Sequence, residues 1–162
     1  MQRTPELLRL LLDAEVEFVI IGGVAAIAYG SATFTQDFDI TAPFSEENLA
    51  RLLAALGPHH PRYALAVPKR PVTESPSELS ANRNLYLLTD LGRLDILAEV
   101  IPVGPYKDVA ARATTLELYG RPCRIISLDD LITVKHHLGR DKDRLVEREL
   151  LALRARQRGE KS

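Results

Sequence analysis

Residues 21–40, IGGVAAIAYGSATFTQDFDI, decide the fold, and the end of this stretch poses the main question. Asp37 and Asp39 lie there within a run that otherwise has the composition of a buried β-strand. Side chains alternate between the two faces of a strand, so both carboxylates point to one face while Phe38 and Ile40 point to the other. From the rise per residue, the two carboxylates are expected roughly 6–7 Å apart.

The acidic pair indicates a metal site. Two neighbouring carboxylates repel each other, and a divalent cation between them removes that repulsion. Mg²⁺ binds a small number of carboxylates together with phosphate oxygens. A third acid of the same kind, Asp95, follows in GRLDILAE (92–99), where Leu94 and Ile96 point to the opposite face. If the two strands are neighbours, three carboxylates converge, and such a set can hold two metal ions for phosphoryl or nucleotidyl transfer.

A pair of glycines supplies a candidate phosphate site. The run EFVIIG (17–22) predicts a buried strand, and GVAAIAY (23–29) predicts a short helix directly after it. Free backbone N–H groups and the positive end of the helix dipole favour a phosphate at such a junction, and Gly22 and Gly23 allow it to approach the backbone. The spacing matches neither the P-loop nor the three-glycine dinucleotide motif.

The remaining patterns predict an α/β or α+β domain with a mixed sheet. Further helices are predicted over 4–13, 45–57, 105–113, 127–139 and 141–156, and further strands over 36–42, 85–89 and 93–100, with a hairpin over 114–127. In the last helix, the Leu and Val residues at 145, 146, 150, 151 and 153 predict one apolar stripe. The proline-rich stretch 58–84 predicts one short strand near 63–67, and then a loop over 68–84 that is functional or mobile.

Composition places the chain among ordinary folded proteins. The chain has 162 residues, which fit one domain, and its 46% hydrophobic and 27% charged content excludes a disordered chain. No run of about 18 apolar residues occurs, so no membrane span is expected, and the first residues predict a capped helix rather than a signal peptide. With the single cysteine Cys123, which allows no intramolecular disulfide, these features make a cytoplasmic location the default expectation.

Charge is unevenly distributed along the chain. The net charge is −1, yet residues 135–162 hold nine Lys or Arg against five Asp or Glu. This basic tail could hold a polyanion close to the acidic remainder of the chain. A solvated helix face with a frayed basic end explains the same pattern.

The order of these motifs resembles the nucleotidyltransferase fold of the DNA polymerase β superfamily. Within it, the chain resembles the minimal and abortive-infection-type nucleotidyltransferases of bacterial toxin–antitoxin systems, which begin with a pattern like GG-x-A…G…R-x-T-x-D-x-D. The matching positions here are Gly22, Gly23, Ala25, Gly30, Thr35, Asp37 and Asp39. The later SLDDLITVKHHLGRDKD (127–143) resembles that group's helix with an acidic start, a mid-helix lysine and a trailing Arg-x-Lys-Asp.

The resemblance implies a catalytic role for the three acids. Asp37 and Asp39 would ligate the metal ions, and Asp95 would complete the metal site and orient or deprotonate the attacking hydroxyl. Two Mg²⁺ or Mn²⁺ ions are expected. The resemblance also implies a nucleotidyltransferase-like core over 1–126, with C-terminal helices over 127–162 packed on it.

The same resemblance implies the nucleotide-binding residues. Gly22 and Gly23 would cradle the β- and γ-phosphates, with Thr35 as a further nucleotide-binding residue, and Lys135 would reach the phosphates or the substrate as a point charge. Two positions depart from the pattern. Most relatives have Gly-Ser where this chain has Gly22-Gly23, and Thr33 stands where the abortive-infection type usually has arginine.

The function implied is metal-dependent transfer of a nucleoside monophosphate from an NTP to a hydroxyl of RNA, such as a tRNA end, or of a protein. The chain would then be a candidate toxin with an antitoxin protein as its partner. The alternative is a catalytically inactive module of the same fold that binds nucleotide or a partner protein. The two departures favour the alternative. Retention of all three acids favours the enzyme, because a pure binding role has no need of uncompensated carboxylates on one face.

Overall fold

The computed structural model describes residues 1–159. Its α-helices are α1 (Thr4–Asp13), α2 (Gly22–Tyr29), α3 (Glu46–Leu56), α4 (Pro76–Leu79), α5 (Tyr106–Arg112), α6 (Leu128–Leu138) and α7 (Asp141–Gln157). Its strands are β1 (Val19–Ile21), β2 (Asp37–Thr41), β3 (Arg62–Tyr63), β4 (Asn84–Thr89), β5 (Gly92–Leu97), β6 (Glu99–Val100), β7 (Gly104–Pro105), β8 (Thr114–Leu118) and β9 (Arg121–Ile125). The end of the predicted basic tail, 160–162, lies outside the described residues.

The first unit of the fold comprises residues 1–18 and 36–98. Its strands follow the order β3-β4-β5-β2, and β5 runs parallel to β2 but antiparallel to β4. β3 pairs with β4 in the antiparallel sense. Helix α3 contacts both α1 and α4. The predicted α/β class with a mixed, helix-flanked sheet is therefore confirmed.

One face of this sheet is apolar and completely buried, as the alternation in the sequence predicts. Phe38 and Ile40 of β2 and Leu94 and Ile96 of β5 are each 0% exposed. Each such side chain contributes about 1.5–3 kcal/mol when it is removed from water. This burial fixes the register of both strands, because a slip of one residue would bring the neighbouring acids into the core.

The second unit comprises residues 19–35 and the chain from residue 99 onward. Here β1 runs parallel to β9, and β9 pairs with β8 in the antiparallel sense. Helix α2 contacts both α6 and α7. The start and end of α6 are as predicted, because the Ser127 hydroxyl accepts a hydrogen bond from the Asp130 N–H and Gly139 ends the helix in a left-handed conformation.

The predicted apolar stripe of α7 is wrong in part. Val146 and Leu150 are buried, whereas Leu145 is 63% exposed and Leu151 is 38% exposed. At about 3.6 residues per turn, positions 146 and 150 share a face, while 145 and 151 lie well to either side of it.

The proline-rich stretch has more regular structure than the sequence predicts. Helix α4 forms there through a capping box, in which Ser75 and Glu78 each bond the other's backbone N–H. The predicted strand near 63–67 is shorter and begins earlier, at Arg62. Over residues 1–159, none of the helices is both long and apolar enough to cross a membrane. The predicted boundary between 126 and 127 stays a prediction.

Candidate active site

The acidic constellation forms on two adjacent parallel strands. Asp39 of β2 lies directly opposite Asp95 of β5 in the register, and Asp37 lies opposite Arg93. Carboxylate oxygens of the three acids all lie within 4.8 Å of one another. The condition that the sequence left open, whether the two strands are neighbours, is therefore met.

Arg93 belongs to this constellation, and sequence reasoning missed it. Its Nε donates a hydrogen bond to Asp95 Oδ1 at 2.8 Å. The signal was present in the sequence, because residues two apart on a strand share a face and Arg93 precedes Asp95 by two. The ion pair holds one oxygen of Asp95 in a fixed direction.

The electrostatics of the cluster favour a bound cation. Burial raises the pKa of Asp95, and the negative charge of Asp37 raises it further, although the hydrogen bond from Arg93 opposes both effects. Asp95 is only 14% exposed, so water screens its charge poorly. The three carboxylates lie close enough to repel one another, and hard oxygen donors of this kind suit Mg²⁺ or Mn²⁺. The donor set thus fits the predicted metal.

The glycine pair begins helix α2 in the second unit. Gly22 has a φ of 70°, a left-handed value that favours glycine. Ile21 precedes the helix and makes no side-chain capping hydrogen bond. The first turn of α2 carries no acidic residue either. This helix start therefore has two features of an anion site, namely backbone N–H donors and a first turn without an acidic residue.

Thr35 explains why glycine stands at position 23. A Cβ added to Gly23 would lie 2.8 Å from the Thr35 Cβ and 2.9 Å from its Oγ1. The space that a serine side chain would need at position 23 is therefore taken by the threonine. The departure from Gly-Ser is a consequence of this packing, and a hydroxyl group is retained close to the glycine.

The threonine at position 33 has a partner of its own. The hydroxyls of Ser31 and Thr33 donate to Glu149 Oε1 at 2.8 and 3.3 Å, and the Ala32 N–H donates to Glu149 Oε2 at 3.0 Å. Glu149 is a residue of α7, so this helix fixes the segment that leads from α2 toward β2. These hydrogen bonds lower the pKa of Glu149, and the bond from the Ala32 backbone N–H has the largest effect.

Lys135 lies in a buried ion pair. Its side chain in α6 is 11% exposed, and its Nζ lies 3.4 Å from Asp143 Oδ1. Asp143 is 1% exposed and also accepts from Arg140 Nε at 2.6 Å. The Arg-x-Lys-Asp motif at the start of α7 therefore holds the lysine ammonium in place, and a contact of Lys135 with phosphate stays a prediction.

Solved structures provide the comparison with known proteins, since no protein-family model and no curated protein sequence matches the chain. A protein from Thermotoga maritima described as a candidate nucleotidyltransferase is 18% identical, with 94% of this chain and 96% of that chain covered and a TM-score of 0.54. ANT(2″)-Ia in complex with adenylyl-2″-tobramycin is 17% identical. The match covers 96% of this chain and 95% of that chain, with a TM-score of 0.59.

A third similar structure is an antigenic nucleotidyltransferase-like protein from Paracoccidioides brasiliensis. It is 17% identical, with 93% of this chain and 74% of that chain covered and a TM-score of 0.58. At such identities the likeness establishes the architecture alone. The chain therefore has the nucleotidyltransferase fold.

Proposed function

We propose that this protein is a metal-dependent nucleotidyltransferase, which moves a nucleoside monophosphate from an NTP to a hydroxyl group. The observation that carries the proposal is the triad Asp37, Asp39 and Asp95, whose oxygens lie within 4.8 Å of one another on adjacent strands. A sheet with one apolar face has no structural need of three converging carboxylates on the other. Their mutual repulsion is a cost that a bound cation removes.

The three acids would share the work as follows. Asp37 and Asp39 would hold two Mg²⁺ or Mn²⁺ ions, and Asp95 would complete the set and orient the attacking hydroxyl or accept its proton. When bound, such ions supply charge stabilisation to the transferring phosphoryl group and its leaving pyrophosphate. Arg93 would fix the direction of the Asp95 carboxylate through the 2.8 Å hydrogen bond.

The phosphates of the NTP would bind at the start of α2. Backbone N–H groups at Gly22 and Gly23 would donate to phosphate oxygens, with the positive end of the helix dipole adding to the attraction. The hydroxyl of Thr35 would stand in for the serine hydroxyl that relatives place at position 23. Lys135 would contribute positive charge toward the phosphates, with Asp143 restricting its ammonium to one position.

The acceptor would be a hydroxyl of RNA or of a protein. The ANT(2″)-Ia complex contains an adenylylated product, which makes ATP the first NTP to test here. A role as the toxin of a toxin–antitoxin pair, with an antitoxin protein as partner, rests on the sequence resemblance. Co-expression with neighbouring genes of the source genome would test it, since a toxin is expected to arrest growth unless its antitoxin is present.

Transfer of label from α-³²P NTPs tests the proposal. Each NTP is incubated with Mg²⁺, total tRNA and lysate protein, in parallel for the parent and for Asp37→Asn and Asp39→Asn. Label on RNA or protein is expected with the parent only, because the variants keep the fold but lose a metal ligand. Mg²⁺-dependent NTP binding with no label on any acceptor would replace the proposal by the catalytically inactive nucleotide-binding module.

A further inference from the structure

An open cavity of about 270 Å³ lies in the unit that carries the acidic triad. Its polar and aromatic lining comes from the β3 end, the loop after it and the start of β4, and consists of Tyr63, Arg70, Asn82, Asn84 and Tyr86. The volume is close to the lower end of the ~300–1,000 Å³ typical of small-molecule sites. We call this cavity the β3–β4 pocket. Its size suits a single planar ring system.

The β3–β4 pocket is next to the triad. Tyr86 of β4 lies directly opposite Asp95 of β5, so the tyrosine and the acid share one face of the sheet. The Arg93 guanidinium lies 5.9 Å from the centre of the Tyr86 ring and bonds Asp95 with its Nε. Through Tyr86, the lining of the pocket comes within one strand spacing, roughly 4.8 Å, of the strand that carries Asp95.

The lining has the chemistry of a nucleobase site. Aromatic rings stack with any base, and asparagine amides both donate and accept hydrogen bonds at base edges. Asn84 Nδ2 donates to the Tyr86 hydroxyl at 3.1 Å, which orients both side chains. Asn82 adds a second, exposed amide at the same rim. Side chains of these kinds suit the unstacked bases of single-stranded RNA.

Arg70 contributes a guanidinium group to the lining of the pocket. The Arg70 guanidinium lies 4.3 Å from the centre of the Tyr63 ring and 2.9 Å from Glu74. The Tyr63 hydroxyl also donates to Glu74, at 2.5 Å, so the negative charge of Glu74 is compensated from two sides. Residues 62–83 carry four Arg or Lys against two Glu. This segment therefore offers an excess of positive charge to an anionic acceptor.

We propose that the β3–β4 pocket binds the 3′-terminal nucleobase of a single-stranded RNA acceptor. The base stacks on Tyr86 and bonds the asparagine amides, Arg70 contacts the RNA backbone, and the terminal ribose faces the triad. This inference rests on the proposed nucleotidyl transfer. Of the two acceptors considered above, RNA and protein, it favours RNA. RNA binding itself needs neither NTP nor metal, so it can be measured separately from transfer.

Fluorescence anisotropy of a short 5′-fluorescein oligoribonucleotide, without NTP or Mg²⁺, tests the proposal. Loss of one stacked base predicts that Tyr86→Ala weakens binding roughly 5- to 150-fold. Asn82→Ala, a change at an exposed side chain that leaves the fold intact, is expected to weaken it roughly 2- to 12-fold. The matched control is Tyr119→Asn. Tyr119 is a half-exposed tyrosine in the turn between β8 and β9, and its φ of 52° is one that asparagine adopts readily. The control is expected to bind as the parent does.

An RNA that is abasic at its 3′ terminus identifies the bound group. The parent is expected to lose at least as much affinity with this RNA as Tyr86→Ala loses with the intact RNA, because the missing base removes both the stacking and the amide bonds. Tyr86→Ala is expected to lose no further stacking with the abasic RNA, so the two losses do not add. The proposal would be overturned if the losses from the abasic RNA and from Tyr86→Ala were additive. It would also be overturned if Tyr86→Ala and Asn82→Ala bound RNA as the parent does. A parent that labels protein and fails to bind RNA would overturn it as well. RNA that is bound in this manner but never labelled would support the pocket while refuting the transfer.

Discussion

The contact between Gly23 and Thr35 allows a prediction in which one substitution changes sign with its background. Gly23→Ala places a Cβ at 2.8 Å from the Thr35 Cβ, 2.9 Å from its Oγ1 and 3.3 Å from its Cγ2. Overpacking of this kind costs about 1–3 kcal/mol, whereas alanine gains about 0.5–1 kcal/mol over glycine within a helix. Gly23→Ala is therefore expected to lower the free energy of unfolding by roughly 1–2 kcal/mol.

Measuring Gly23→Ala in proteins that also carry Thr35→Ala or Thr35→Gly separates the steric contact with Thr35 from the change in helix propensity. Thr35→Ala removes Oγ1 and Cγ2 but keeps the Cβ at 2.8 Å, so Gly23→Ala stays destabilising there. Thr35→Gly removes all three atoms, so only the helix-propensity gain of up to ~1 kcal/mol remains and Gly23→Ala becomes neutral or stabilising. Urea unfolding of the six proteins at constant m value measures this coupling. An equal cost of Gly23→Ala in the Thr35→Gly background and in the parent would refute the packing explanation for the missing serine.

Further substitutions test three charged sites. Asp39→Asn is expected to stabilise the metal-free protein by relieving repulsion among carboxylates within 4.8 Å, and to lose the Mg²⁺-dependent rise in Tm that is expected of the parent. Calorimetry with and without Mg²⁺ measures both effects, and a rise in Tm that the variant keeps would contradict them. The hydrogen bond from Tyr63 lowers the pKa of Glu74 to about 2, from 4.5, so the parent's stability advantage over Glu74→Gln is present above pH 4.5 and lost as pH falls toward 2. Urea midpoints at about pH 7 and about pH 3 measure this, and an unchanged difference would contradict it. Asp143→Asn leaves the Lys135 ammonium buried without its counter-charge, at a cost of about 3–5 kcal/mol, and adding Lys135→Met is expected to recover part of it. Urea unfolding of the single and double variants checks this, and equal stabilities would show that the pair is not needed.

The acidic triad could be predicted from the sequence because a period of two determines the face of each strand residue. Asp37 and Asp39 flank Phe38, and Asp95 lies between two residues that are completely buried. The adjacency of β2 and β5 could not be predicted in this manner, since hydrogen bonding between strands that are distant in sequence leaves no local pattern. The boundaries of α3 and α6 were predictable for the opposite reason, because their serine caps act within three residues.

The features that the sequence did not reveal depend on contacts between distant segments. Glycine at position 23 looks like a lost serine until the Thr35 side chain is seen beside it. The β3–β4 pocket combines residues from either side of α4, in a proline-rich stretch without a clear period. The stripe of α7 was overestimated because apolar residues at 145 and 151 were grouped with the buried positions without regard to their angle around the helix.

The most direct test of nucleotidyl transfer at the triad is the ratio of pyrophosphate released to nucleoside monophosphate attached. It is measured with the NTP and acceptor that give label, for the parent and for Asp95→Asn. In-line transfer predicts one pyrophosphate for each monophosphate attached by the parent, and neither product above background for the variant. A parent that releases no pyrophosphate with any NTP, or an Asp95→Asn protein that transfers at the parent's rate, would contradict it.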